Sequence, residues 1–512
     1  MHKIRRTVGT LLIATLLVAP ITALYAADND GWTEAPQTQE AQNDKWENWC
    51  KEWETIKDSP TQMSLTPGKD ASQLNFAWYS KTTDKKAKIK IGTKKDLSDA
   101  VLIKIETKNA VEGYLSNKAT AKGLKNNKTY YYSYTINGKW TAATVYKTRD
   151  IKSFSFAFVG DPQIGSSASN IPTGSTESLG QSNAVRNDSF NWNSTLNAAI
   201  EKNSKLSFVV SAGDQIQSRD KKTADKTYKT YTDNEIEYSG YLSADALMSL
   251  PVATTIGNHD ALSANYTYHF NNPNASTTLG DTYAGGDYYF SYGNTLFIML
   301  NTNNRNIAEH KQFMDKAIGS HSDAKWKVVT LHQDIYGSGE HSNEPEIVEL
   351  RYALIPIFEK NGIDVVLTGH DHTYSRSYLM NGGVVDMTSM LSEDDYEKYF
   401  EEDLEAVSHV TYVGENVSYQ EYLESIQDAY AIASKKVSKV VKPKGILYIT
   451  ANSASGSKYY DLVETKQAYI AARWQKDVPT YSIIDVTSST LTINTYRTDN
   501  GKKIDQAFTL KK

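Results

Sequence analysis

Between Gln62 and Arg149, apolar and polar residues alternate with a period of two in short runs, the pattern of half-buried strands. Leu74-Asn75-Phe76-Ala77-Trp78 and Lys88-Ile89-Lys90-Ile91 alternate in this way, and Tyr130-Tyr131-Tyr132 follows the turn-forming Lys125-Asn126-Asn127. Asn137-Gly138, between Tyr134-Thr135-Ile136 and Trp140, predicts a hairpin, because both residues tolerate the positive φ of a two-residue connection. Residues 60–150 are therefore expected to form a small all-β sandwich. The stretch has no histidine and no clustered carboxylates, so chemistry is not expected there.

After Phe154 the pattern changes to apolar runs at 154–159, 206–211, 252–256, 296–300, 326–331 and 363–367. Helical periodicity appears between them, around 192–200, 313–318 and 347–358, which is the signature of layered α/β structure. A boundary near Asp150 follows, with a second domain over 151–512. Pro356 is expected to interrupt the last helix, which Asn361-Gly362 closes. Residues 391–444 form a separate block with two tyrosine-rich helical stripes, Tyr396, Tyr399, Phe400 and Leu404, then Tyr422, Ile426 and Tyr430. An inserted helical subdomain is expected, and a lid over the functional site is one role open to it. Its acidic residues, Glu393, Asp394, Asp395, Glu401, Glu402 and Asp403, lack the glycine of a calcium loop and read as a solvated helix face.

At the start, His2, Lys3, Arg5 and Arg6 precede an apolar run over 8–24 that ends in Ala26-Ala27-Asp28, which predicts an export signal over residues 1–26. Leu24 fits the cleavage site imperfectly, and an uncleaved membrane anchor is the alternative. Arg5-Arg6 reads as part of an ordinary signal rather than a twin-arginine one. No later run is long and apolar enough to span a bilayer, so the mature chain is expected to be secreted or in the cell envelope, without membrane contact. Residues 27–59 are expected to be a linker with one helix, since Trp46, Trp49, Cys50 and Trp53 recur at helical spacing. Packing on the body is the expected use of that stripe; a tryptophan platform for cell-wall or other carbohydrate is the alternative. Cys50 is the one cysteine, which excludes an internal disulfide and a thiolate metal cage. A net charge of −5 and a pI near 6.1 give no sign of a broad basic surface for nucleic acid.

Five of the six apolar runs end in residues able to ligate a metal: Gly160-Asp161, Gly213-Asp214, Gly257-Asn258-His259-Asp260, His332, and Gly369-His370-Asp371-His372. Sites in α/β sheets form beyond the carboxyl ends of strands, so these distant residues can converge. The preceding glycines are expected to let the backbone turn tightly. Carboxylate, amide oxygen and imidazole together suit borderline first-row metals, and the set is large enough for two ions with a shared carboxylate.

These motifs resemble those of the calcineurin-like metallophosphoesterases, and the chain as a whole resembles the purple acid phosphatase branch. Gly369-His370-Asp371-His372-Thr373-Tyr374-Ser375-Arg376, preceded by Ile363-Asp364-Val365-Val366-Leu367, carries much of the likeness. Gln62-Met63-Ser64-Leu65-Thr66 with Gly123-Leu124 resembles the N-terminal fibronectin-like domain of that branch, and Tyr448-Ile449-Thr450 its late strand. The similarity spans roughly 60–390 and 445–512, leaving the inserted block outside. It implies a four-layer αββα sandwich preceded by a fibronectin III-like β-sandwich. It also implies two metal ions, iron, manganese or zinc. Asp161, Asp214 and His372 would hold one ion, and Asp214 would bridge to a second held with Asn258, His332 and His370. His259 would face the substrate phosphate or leaving group, so Asp214 and His259 are the residues expected to carry catalysis. The plainer role for His259 is to orient its loop through a backbone hydrogen bond.

Two departures from the family pattern stand out. Gln163 replaces a histidine found in many relatives and is expected to ligate metal through its amide oxygen; a hydrogen bond to a metal-bound water is the alternative. Gln217 replaces the tyrosine of the purple enzymes; Tyr374, two residues past His372, is the nearby tyrosine considered as a substitute and is expected not to ligate. The implied reaction is hydrolysis of a small phosphate monoester, acid phosphatase-like, by a hydroxide held between two metal ions. Phosphodiesters and nucleotides are alternative substrates on the same site. No Gly-x-Ser-x-Gly elbow ends a strand, which argues against a serine hydrolase. The competing class is a non-catalytic cell-surface or carbohydrate-binding protein, but a decayed enzyme should have lost ligands, and here every core position is filled.

Overall fold

The computed structural model describes residues 44–167, 177–217, 234–382, 391–392, 394–399, 417–428, 430–463 and 466–512. The expected export signal lies outside the described residues, as do Phe400, Leu404, Glu393, Glu401, Glu402 and Asp403 of the inserted block. Among the described residues, no helix is long and apolar enough to cross a membrane.

Helix Lys45–Ile56 turns Trp46 and Trp53 inward and leaves Lys45, Glu47, Lys51 and Glu52 exposed. Trp46 meets Phe190 edge-on at 5.2 Å, and the indoles of Trp49 and Trp53 donate to Arg186 O and Ser182 Oγ at 2.7 and 3.2 Å. All these partners belong to helix Glu177–Lys202, so the tryptophan stripe is packing and presents no open aromatic platform.

The N-terminal sandwich stacks the sheet Ser64–Pro67, Gln73–Lys81, Tyr114–Lys122, Ile105–Asn109 on a second, five-stranded sheet centred on Thr129–Ile136. Asn137 and Gly138 have φ of 52° and 73°, and pair Ile136 with Lys139 across the hairpin. The period of two divides strand Gln73–Lys81 between two tasks. Phe76 and Trp78 face Tyr132 and Tyr134 in the sandwich core, with ring centroids 5.2 and 5.7 Å apart. Asn75 and Tyr79 face the second domain, donating to Asn271 O at 2.7 Å and Glu235 Oε1 at 3.2 Å. Lys118 Nζ adds a bond to Phe270 O at 2.8 Å, so the two domains share a polar junction.

Alternation within the strands also builds the four layers of the second domain. Phe154, Phe156, Phe158, Phe208 and Val210 of one sheet meet Trp326, Val328, Val365 and Leu367 of the other in a shared core. Their neighbours Ala157, Val159 and Val209 pack outward beneath helices Glu177–Lys202 and Glu235–Leu242. Val329, Leu331, Ile363 and Val366 likewise pack outward under helices Ile307–Gly319 and Pro345–Lys360. The first sheet has seven strands, in the order Val252–Thr254, Leu206–Ser211, Ser153–Val159, Thr480–Thr487, Thr490–Arg497, Phe508–Lys511, Lys439–Val441. The second has eight, and its parallel centre is Thr295–Met299, Trp326–Thr330, Val365–Thr368 and Ile446–Thr450.

Two expectations fail. Helix Pro345–Lys360 continues through Pro356, because near the end of a helix the missing N–H removes one bond while buried Leu354, Ile355 and Phe358 hold the turn. Gly362, with φ of 62°, provides the stop. The inserted block is not helical throughout. Helix 394–399 and helix Val417–Asp428 pack Tyr396, Tyr419, Tyr422 and Ile426 on Val348, but strands Ile432–Ser434 and Lys439–Val441 then rejoin the two sheets.

Candidate metal centre

Asp161, Asp214 and Asn258 follow three neighbouring parallel strands of the seven-stranded sheet, while His332, His370 and His372 follow strands of the eight-stranded one. The two carboxyl edges meet along a seam closed by the bridge between Gly160 and Ser453, with Ala454 N donating to Gly160 O at 2.8 Å. Candidate residues from both sheets thus come together where the sheets touch.

Several of the turn residues adopt left-handed backbone although none is glycine: Asp161 (φ 46°), Gln163 (38°), Asp214 (48°), His370 (75°) and His372 (47°). Such conformations cost on the order of 1 kcal/mol or more each, and they cluster where surrounding bonds over-determine them. His370 N donates to both oxygens of Asp161 at 3.0 Å, and Gln163 N donates to Asp214 O at 2.8 Å. The neighbouring glycines chiefly make room. A Cβ on Gly257 would lie 2.0 Å from Asp214 Oδ1, and one on Gly369 2.6 Å from Asp161 Oδ2. Of the four glycines before the candidate ligands, Gly213 alone has positive φ, at 111°. The expected role of glycine as the turning residue is therefore mostly taken by the candidate ligands themselves.

The fit of a cation can be read from the lone pairs. His332 Nδ1 lies 2.9 Å from the carbonyl of Ala212, which accepts its proton and leaves Nε2 as the acceptor in the neutral ring. Around Nε2 stand Asn258 Oδ1 at 2.9 Å, Asp214 Oδ2 at 3.2 Å and His370 Nδ1 at 3.2 Å. His372 is fixed in the same way, with Nδ1 on Lys458 O at 2.8 Å and Nε2 3.6 Å from Asp161 Oδ1. One ligand atom each from Asp161, Asp214 and His332 lie within 4.8 Å of one another. Among the described residues Gln163 Oε1 is buried with no hydrogen-bond partner. Acceptors that converge in this way need positive charge between them, so the donor set fits metal.

Burial and the charges of its neighbours act on each titratable member of the cage. Burial pushes the Asp161 carboxyl up to about 8, against the pull of His332. For His332, burial is outweighed by Asp214 and Asp161, which lift the imidazole to about 9. Burial opposes the ionisation of Asp214 too, but His332 and His259 hold it below the ordinary carboxylate range. Burial keeps His370 neutral, and lowers His372 to about 3, so both retain the form that ligates metal.

The remaining candidates are placed as follows. His259 donates its N–H to Asp214 Oδ1 at 2.9 Å and its Nδ1 sits 2.7 Å from Gln217 O, leaving Nε2 free of those contacts. Among the described residues the side-chain oxygen of Gln217 is buried without a hydrogen-bond partner. Tyr374 OH donates to Asp505 Oδ2 at 2.8 Å, an acid that also binds Arg376.

Sequence reasoning missed His341 and Tyr460, whose rings pack against those of His370 and His372. His341 bonds Asp371 Oδ1 through Nδ1 at 2.8 Å, and its ring lies 4.8 Å from His370 and 4.5 Å from Tyr460. Tyr460 in turn lies 5.0 Å from His372. Asp260 accepts from Gly257 N and Gln215 N at 2.9 and 3.1 Å, holding the Asn258 turn. Asp371, within the Gly369–His372 motif, was the one available signal for His341, since a carboxylate between two candidate ligands needs a partner of its own.

Comparison with known proteins agrees with this construction. Residues 154–374 match the model of the calcineurin-like phosphoesterases, and residues 60–148 that of the purple acid phosphatase N-terminal domain. Purple acid phosphatase 3 of Arabidopsis thaliana is 37% identical over 68 residues, 13% of this chain and 18% of that protein. The chain therefore aligns with less than a fifth of that curated relative's length. Among solved structures, a purple acid phosphatase from yellow lupin (Lupinus luteus) seeds superposes with a TM-score of 0.59 at 14% identity, covering 88% of this chain and 75% of the other. The structure of PhoD gives a TM-score of 0.51 at 12% identity, covering 87% and 92%. By both domain matches, which fall on the two folds described above, residues 154–374 form a calcineurin-like phosphoesterase domain and residues 60–148 a purple acid phosphatase N-terminal domain.

Proposed function

We propose that the protein is an exported, metal-dependent phosphoesterase that hydrolyses small phosphate monoesters. The observation that carries this reading is the convergence of His332 Nε2, Asp214 Oδ2, Asn258 Oδ1 and His370 Nδ1 at the seam of the two sheets. Bound there, a pair of divalent ions would supply Lewis acidity to the phosphoryl group and acidify the attacking water.

The chain's own residues do the rest. Asp161, Asp214 and His372 would hold one ion, with Gln163 Oε1 as the added donor; Asp214, Asn258, His332 and His370 would hold the other. The His259 N–H fixes one oxygen of Asp214 and turns the other toward His332. Gln217 O takes the Nδ1 proton of His259, so proton delivery to the leaving oxygen falls to Nε2. Likeness to the purple acid phosphatases favours monoesters over diesters. Export is supported by the basic residues before the apolar run at 8–24.

The test is metal analysis of the purified protein together with a panel of phosphomonoesters and phosphodiesters, before and after chelation and metal add-back. About two ions per chain, and hydrolysis that disappears and returns with them, are expected. Full turnover after complete metal removal would sink the proposal. Recovery of the mature chain in the cytoplasmic fraction would remove export from it.

A further inference from the structure

We propose that Lys458 and Tyr460 anchor the phosphate dianion at the mouth of the metal centre and so select monoesters over diesters. This rests on the phosphoesterase reading and names the substrate class of that site.

The loop that carries them follows strand Ile446–Thr450 and is tied to the Asp161 turn. Ser453 Oγ donates to Asp161 O at 3.0 Å, and the hydroxyls of Ser455 and Ser457 both donate to Pro162 O. The carbonyl of Lys458 itself accepts from His372 Nδ1. Its backbone is therefore part of the support of the cage, and its side chain departs from a fixed point.

Among the described residues that side chain enters no ion pair. Among the described residues no carboxylate lies within salt-bridge distance of Lys458, and its hydrogen-bond partner is the Tyr460 hydroxyl, with the ammonium 4.1 Å from the centre of that ring. Asp214, Glu340 and Asp161 act on it only at longer range. Tyr460 stands between His341 and His372, 4.5 and 5.0 Å from their ring centres. An ammonium and a phenol thus border the cage without belonging to it.

A monoester carries a second negative charge that a diester lacks. A compact ammonium beside the phosphoryl position rewards that charge, and the Tyr460 O–H offers a donor to an adjacent non-bridging oxygen. The diester gains less from the same groups, because one of its oxygens bears carbon instead of charge.

The experiment compares the metal-loaded wild type with Lys458→Gln, Lys458→Arg and Tyr460→Phe, using p-nitrophenyl phosphate, bis(p-nitrophenyl) phosphate and calorimetric binding of inorganic phosphate. Lys458→Gln should lower the monoester-to-diester ratio of kcat/KM by about 10- to 100-fold, the range of one charge-assisted contact, and weaken phosphate binding by a similar factor. Metal content should stay at the wild-type value, Lys458→Arg should restore most of the ratio, and Tyr460→Phe should lower it by a smaller factor. An unchanged ratio and phosphate affinity in Lys458→Gln would overturn the anchor, and so would loss of metal, which would make Lys458 a support of the cage alone. If the wild type turns over neither ester, the phosphoesterase reading falls, and phosphate calorimetry still decides whether Lys458 holds the anion.

Discussion

Asp214 receives an N–H on one oxygen and points the other at His332, an arrangement an amide cannot copy, because its NH2 group would carry hydrogens into a cluster of lone pairs and remove the charge that the two proposed ions would share. Asp214→Asn is therefore expected to abolish hydrolysis and to release metal, read by elemental analysis of the purified variant; full activity would refute the shared-carboxylate role. Gln217 bears on colour. The purple of the related enzymes comes from charge transfer between a tyrosinate ligand and ferric iron; by the resemblance the neutral amide of Gln217 would stand at that place, while the Tyr374 hydroxyl is bound to Asp505. Iron-loaded, air-oxidised protein should show no strong tyrosinate band. A band that vanishes in Tyr374→Phe would overturn this.

Helix Ile307–Gly319 is fastened by His310, whose two ring nitrogens meet Asp287 Oδ2 and Asn304 O, each at 2.8 Å. Two acceptors require two ring protons. Burial opposes the charged form, but the bond to Asp287, its charge and the Asn304 carbonyl outweigh it and raise the pKa. A raised folded pKa means that the stabilisation is complete below the unfolded value of about 6.5 and is lost as pH rises through the folded one. The stability gap between wild type and His310→Asn, measured by denaturant unfolding, should therefore narrow from acid to alkaline pH. Trp53→Ala, in the N-terminal helix, should cost roughly 3–5 kcal/mol in the same assay while leaving metal content intact. Elements of this kind differ in how far the sequence revealed them. The hairpin at Asn137-Gly138 and the strand ends at Asp161, Asp214 and His332 were legible because local chemistry and apolar runs coincide there. Strands Ile432–Ser434 and Lys439–Val441 were not, since three residues at a sheet edge carry no period. His341 escaped because the carboxylate that places it, Asp371, lies on a different segment, and only the fold brings the two together.

At the scale of the whole molecule, the N-terminal sandwich meets the second domain through Asn75, Tyr79 and Lys118, while the candidate cage lies where the seven- and eight-stranded sheets touch. Each sheet supplies about half of the donors, so an ion bound there ties together segments that are remote in the chain, from Asp161 to His372. A ligand that binds the folded state alone stabilises it by mass action, about 2.7 kcal/mol at a hundredfold excess over Kd. The calorimetric Tm should accordingly climb with free divalent metal in the wild type and stay flat in Asp214→Asn. In a protein with a single cysteine, such a tie does the work that a disulfide does elsewhere, yet unlike a disulfide it comes and goes with the surroundings. Where metal is scarce, the protein should be lost to proteases after its sheets part, so that its abundance, and not merely its turnover, tracks the metal supply.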